Sequence, residues 1–190
     1  MSQGRSADRL VLVHDADRPL SATESERFRS LVLPHLDAAY TFARYLTRDP
    51  AAAEDLTQDA FVRALRGFRG YAGGEAKAWL LAIVRNAFRD QLRARREDTG
   101  EPPEMADPDD PEAILMRKHS ALGIRATLEQ LPEPFRETLV LRELEELSYK
   151  EIAAVTAAPL GTVMSRLARA REMLAALILP AGQVGMEVSS

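Results

Sequence analysis

Apolar residues recur along this chain at intervals of three and four, and strict alternation is scarce, so the pattern predicts helices and no sheet. Leu33 to Leu46 and Ala51 to Gly67 are two amphipathic segments, with Leu36, Tyr40, Leu56, Phe61 and Leu65 at core spacing. Asp49-Pro50 between them is a turn and helix-start signal. Gly67, Gly70, Gly73 and Gly74 mark a loop, and a third helix is predicted from Lys77 to Arg96. Its faces separate: Leu80, Leu81, Ile83, Val84, Ala87, Phe88 and Leu92 form a broad apolar arc, whereas Arg85, Arg89, Arg93 and Arg96 stack into one basic stripe. Trp79, the only tryptophan, falls on the shoulder between the two faces beside Asn86. Arginines beside an aromatic ring suit single-stranded nucleic acid, phosphates on the former and a base on the latter. A core anchor flanked by solvated arginines fits the same residues, and for Trp79 the pattern alone leaves both readings open.

Near the end of the chain two helices and a tight turn are predicted. Ser148 with Glu151 forms a capping box, which starts a helix at Tyr149; Ala157-Ala158 ends it. Pro159 suits the first position of the next helix, where Val163, Leu167, Ala170 and Leu174 form the inward stripe. Thr162, Ser165, Arg169 and Glu172 point the opposite way, with Arg166 on one flank and Met164 and Arg171 on the other. A short helix, a small-residue turn and a second helix with hydroxyls and arginines facing outward is a helix-turn-helix whose second helix fits a major groove.

Charge divides the chain. From Glu97 to Glu112 there are eight acidic residues, four prolines and no basic residue. Such a stretch cannot bury a core and reads as an extended linker. The organisation expected is all-α: a tail at 1–22, a helical domain at 23–96, the linker at 97–112, a second helical domain at 113–179 ending in the helix-turn-helix, and a tail at 180–190. Sixteen linker residues reach at most about 53 Å at ~3.3 Å each. With no cysteine, disulfides and thiolate chemistry are excluded, and His14, His35 and His119 belong to no metal-ligand motif. No apolar run suits a membrane span and no signal-peptide core opens the chain, which points to a soluble cytoplasmic protein. A net charge of −4 argues against a free-standing DNA binder, because nonspecific affinity comes from phosphate neutralisation.

Four segments in order carry a resemblance: Ala53 to Arg66, Ala78 to Asn86, Leu131-Pro132-Glu133-Pro134-Phe135-Arg136-Glu137, and Leu141 through the helix-turn-helix. Together they resemble the extracytoplasmic-function sigma factors of bacterial RNA polymerase over roughly residues 25 to 178. The resemblance implies that Asp55, Gln58, Asp59 and Arg63 face the clamp helices of core polymerase. It implies that Phe68, Trp79, Arg85, Asn86, Arg89 and Arg93 serve the melting and capture of the −10 element, where a flipped base needs a pocket to offset a cost of a few kcal/mol. Pro159, Thr162, Met164, Ser165, Arg166 and Arg169 would meet the −35 duplex. Also implied are a polymerase that supplies most phosphate contacts, which removes the charge objection, a linker that follows the polymerase's RNA path, a stress or envelope-signal regulon, an anti-sigma partner, and a free sigma that is monomeric. No cofactor, metal or catalysis is expected; Asp55 and Asp59 make a carboxylate pair, but no nucleophile or phosphate loop accompanies them. Two positions depart from the family's habit: Ala157 stands where glycine is frequent, which predicts a turn avoiding positive φ, and Met164 stands where a basic residue is frequent. The other class compatible with the pattern is a two-domain helix-turn-helix regulator acting without polymerase.

Overall fold

The computed structural model describes residues 19–99 and 123–178; residues 1–18 of the first predicted tail, most of the predicted linker, residues 113–122 of the predicted second domain and the second tail lie outside the described residues. Eight α-helices and two short 3-10 turns make up the described residues: α1 (Ala22–Leu31), α2 (Leu36–Thr47), α3 (Pro50–Gly67), α4 (Ala76–Thr99), α5 (Ile124–Glu129), α6 (Glu133–Glu143), α7 (Tyr149–Thr156) and α8 (Leu160–Ile178), with the 3-10 turns at Leu33–His35 and Phe68–Gly70. The first domain is thus α1 to α4 and the second α5 to α8.

Local chemistry sets most of these boundaries. Asp49 caps α3 by accepting from the Ala52 amide at 2.7 Å, and Pro50 occupies the first turn, where a missing N–H costs nothing. Leu56, Ala53, Ala60 and Ala64 turn inward from α3, and three alanines let that helix lie close to α2 and α4. From α4, Leu80, Leu81, Val84, Ala87 and Phe88 complete the core as the apolar arc predicts. This helix continues to Thr99, three residues into the acidic stretch read as linker.

The periodicity did not reveal α1. It begins with its own capping box, Ser21 with Glu24, and inserts Phe28 and the following Val32 into the core. The Ser21 amide, and next the Arg69 guanidinium, hold the Glu24 carboxyl down to about 2.

In the second domain, Phe135, Leu139, Val140, Ile152, Val155, Val163, Leu167 and Ala170 form the interior. The predicted Ser148 and Glu151 box is present, with bonds of 3.3 and 2.7 Å. Two details differ from expectation. Pro159 stands just before α8, its carbonyl accepting from the Val163 amide at 3.1 Å. Ala157 takes the left-handed conformation, φ 50 and ψ 38, because the amides of Ala157 and Ala158 both turn back to the Ala153 carbonyl and close the end of α7.

Candidate functional site

Three surfaces gather the residues singled out in the sequence. On the first, α2 and α3 enclose a groove of about 390 Å³ lined by Leu36, Asp37, Tyr40, Glu54, Thr57, Gln58 and Phe61. Leu36 and Leu65, expected in the core, are 47% and 44% exposed here, and Val62 is exposed beside them. Helical spacing marks an apolar face without saying whether this chain covers it. Asp55 and Gln58 are exposed on the same side. Asp59 and Arg63 are not free for a partner in the same way: Arg63 bonds Asp59 one turn back at 3.0 and 3.1 Å and reaches Asp90 of α4 at 2.5 Å. These carboxylates, Asp90 first, raise the Arg63 pKa and fasten α3 to α4.

The second surface surrounds the loop before α4. Phe68 is enclosed, packing edge-on against Phe28 at 5.3 Å, nearly parallel to Tyr71 at 5.7 Å, and near Trp79 at 6.3 Å. Its ring is thus buried among these neighbours, under the loop that precedes α4. Trp79 is half-buried with its ring 4.9 Å from Tyr71, so it is neither fully core nor fully a platform. The Tyr71 hydroxyl donates to the Gly74 carbonyl at 2.5 Å across a turn in which Gly73 and Gly74 both have positive φ, 96 and 99. Along α4, Asn86 and Arg93 are exposed, but Arg85 and Arg89 are engaged. Arg85 bonds the buried Glu137 of α6, and Arg89 pairs with Glu133 at 3.2 Å.

These pairs belong to a contact between the domains. Helix α6 lies against α2 and α7 against α4. Arg44 meets Glu129 at 3.2 Å, and the Lys77 ammonium meets both the Glu145 carboxylate and its backbone carbonyl at 2.8 Å. Arg136 is buried and donates to the Tyr45 carbonyl at 2.8 Å, and Arg48 donates to that of Leu131 at 3.3 Å. Burial, and then the nearby Arg48, lower Arg136 to about 10, so it stays charged at neutral pH. Burial raises the Glu137 pKa despite the opposing pull of Arg85. Sequence reasoning assigned no role to Glu129, Glu133, Glu137 or Glu145. The signal was present as a four-residue spacing, Glu129, Glu133 and Glu137, matching that of Arg85 and Arg89.

The third surface is the outer side of α8. Val163, Leu167 and Ala170 are buried as predicted, while Pro159, Met164, Ser165 and Arg169 are exposed and Thr162 and Arg166 half-buried. Met164 is 53% exposed, so it does not pack under the first helix of the pair. Arg171 is turned aside to Glu143 at 2.7 Å. Among the described residues no group of acidic residues, histidine or cysteine is placed to hold a metal, and no helix is long and apolar enough to cross a membrane.

Two helical domains, one with an aromatic and arginine cluster and one with an outward helix-turn-helix, define a two-headed transcription factor. Residues 31–97 match the family model of sigma-70 region 2, and residues 121–174 match that of sigma-70 region 4. The chain is 33% identical over 171 residues to the RNA polymerase sigma-H factor of Pseudomonas aeruginosa, covering 83% of this chain and 89% of that protein. It is 38% identical over 152 residues to the ECF RNA polymerase sigma factor SigE of Mycolicibacterium smegmatis, a match spanning 76% of this chain but 58% of that protein. Among solved structures, the sigma factor RpoE in complex with the anti-sigma factor NepR from Bartonella quintana is similar, with a TM-score of 0.65 and 30% identity over 80% of this chain and 96% of that one. The chain belongs to the extracytoplasmic-function sigma factors of the sigma-70 family.

Proposed function

We propose that the chain joins bacterial core RNA polymerase as its promoter-recognition subunit and acts, without catalysis of its own, in the bacterial cytoplasm. The groove between α2 and α3, with exposed Leu36, Leu65, Asp55 and Gln58 around it, is the polymerase-docking face. Trp79, Asn86 and the stripe of Arg85, Arg89 and Arg93 serve the −10 strand, and the outer side of α8 reads the −35 duplex. The observation that carries this reading is the occurrence of both matched regions, in order, on two folded domains of one chain. An anti-sigma factor, a class of protein present in the Bartonella quintana complex, is the expected negative partner.

The test is transcription in vitro. Core polymerase plus this chain, given a library of randomised promoters, is expected to yield transcripts from a subset sharing two spaced elements, with one chain bound per polymerase. DNA binding by the chain alone at a palindrome, with no transcript gained on adding core, would favour the polymerase-independent regulator.

A further inference from the structure

The outer side of α8 is divided along its length. One half carries Thr162, Ser165, Arg166 and Arg169; the other carries Leu160, Gly161 and Met164, none of which has a charge or a side-chain donor. Leu160 is 43% exposed and Met164, one turn further on, 53%, so two large apolar side chains stand open to water on one flank. Arg171, the cation that the spacing places on this flank, is drawn off to Glu143 of α6 and leaves it without a charge. Beside the two apolar side chains lies Gly161. It is not among the glycines of positive φ, and a Cβ built on it would meet nothing within 4 Å. Neither the backbone nor the packing of this chain asks for glycine there, although glycine in a helix is less stable than alanine. Side chains on a helix lean toward its N-terminus, so Met164 leans over the turn that holds Leu160 and Gly161. The open space above Gly161, bordered by those two side chains, is a shallow apolar notch.

We propose that this notch receives the C5 methyl group of a thymine in the −35 duplex, with Leu160 and Met164 against the methyl and Gly161 giving the base edge room to approach. The proposal rests on the reading of α8 as the −35 face. Whatever seats in the notch also lies beside the hydroxyls and arginines of the other half, so it must present apolar surface and hydrogen-bonding groups side by side. The major-groove edge of an A·T pair does so: adenine offers an acceptor and a donor, thymine an acceptor and its methyl, and no other base carries an apolar group there. Leu160, Gly161 and Met164 are the first, second and fifth residues of α8, and in a helix-turn-helix the N-terminal residues of the second helix are those that reach base edges.

Core polymerase carrying the full chain is first given promoters with a randomised −35 region. A selected promoter is then rebuilt with each thymidine of that region replaced in turn by deoxyuridine, which removes the methyl group and nothing else. At one thymine, or at two neighbouring ones, the replacement is expected to weaken competition for the holoenzyme about fourfold, the factor that one buried methyl group at ~0.8 kcal/mol implies. With Met164→Ala the two promoters should compete alike at that position. Gly161→Ala is expected to hold or raise the thermal midpoint of the free protein, yet to weaken binding of the thymine promoter by at least the same factor. Selected promoters without thymine in the −35 region, or thymines that all tolerate the replacement, overturn the proposal. So does a uracil penalty that persists at full size in both Met164→Ala and Leu160→Ala, or a Gly161→Ala holoenzyme that competes like wild type. A lowered midpoint for Gly161→Ala would assign the glycine to the fold and overturn its part in the notch. Wild-type dimers that Met164→Ala dissociates would place a second copy of the chain on this flank, which also overturns the proposal. A wild-type holoenzyme with no promoter-dependent transcription overturns instead the functional reading on which the proposal rests.

Discussion

At Ala157 an L-residue with a methyl side chain adopts a left-handed backbone conformation. Glycine enters that region without steric cost, whereas alanine is penalised by roughly 1 kcal/mol. Ala157→Gly is therefore expected to stabilise the second domain by about 1 kcal/mol, less the entropy glycine adds to the unfolded chain, as measured by urea denaturation. A destabilised variant would show that the turn is unstrained. Met164 gives the complementary case. It is exposed on α8 and donates no hydrogen bond, so Met164→Arg is expected to leave thermal stability unchanged. On the −35 duplex it should raise affinity and steepen the salt dependence by about 0.9 log units per added phosphate contact. An unaltered salt slope would place that flank away from DNA.

At the scale of elements, the groove between α2 and α3 decides which residues a test of the proposed docking face should change. Charge reversal at Asp59 also removes one of the two carboxylates that hold Arg63, leaving Asp90 of α4 as the other, so loss of polymerase binding in that variant mixes two causes. Leu36→Glu with Leu65→Glu has no such confusion, because both side chains already meet water. We expect unchanged helicity and a loss of at least about tenfold in competition for core polymerase, since burying two leucines contributes roughly 1.5–3 kcal/mol each. Wild-type competition would move the docking face elsewhere. The same elements show what was legible in the sequence. The helix-turn-helix and the start of α3 could be read because their caps and stripes are local. Helix α1 escaped because it buries little more than Phe28, too sparse a pattern to show a period, although Ser21 and Glu24 spelled its start. Leu36 and Leu65 were misplaced because a period locates a face and not its cover. The Arg85 and Glu137 pair, 52 residues apart, has no local signature, since each half looks like a solvated charge until the fold brings them together.

For the whole molecule, the contact between the domains carries a proton balance. Glu137 is raised by burial in the closed form and faces Arg85, Arg89 and Glu133; once the domains part, it meets water and returns to the ordinary carboxylate range. Between those two pKa values the closed form binds more protons, so a falling pH favours closure and a rising pH opposes it. With a donor and an acceptor dye on cysteines introduced at Ala51 and Ala175, exposed positions of α3 and α8, the distance between them is expected to shorten as pH is lowered from neutral, and Glu137→Gln should remove this dependence. A distance that is flat with pH in wild type would mean that Glu137 does not change its surroundings on opening.

The stripe is also graded along its length. Arg85 is 11% exposed, Arg89 is 45% exposed, and Arg93, one turn further along α4, is exposed. Arg93 is thus the member of the stripe that an anion from solution meets first, while Arg89 and Arg85 become available to it only when Glu133 and Glu137 give them up.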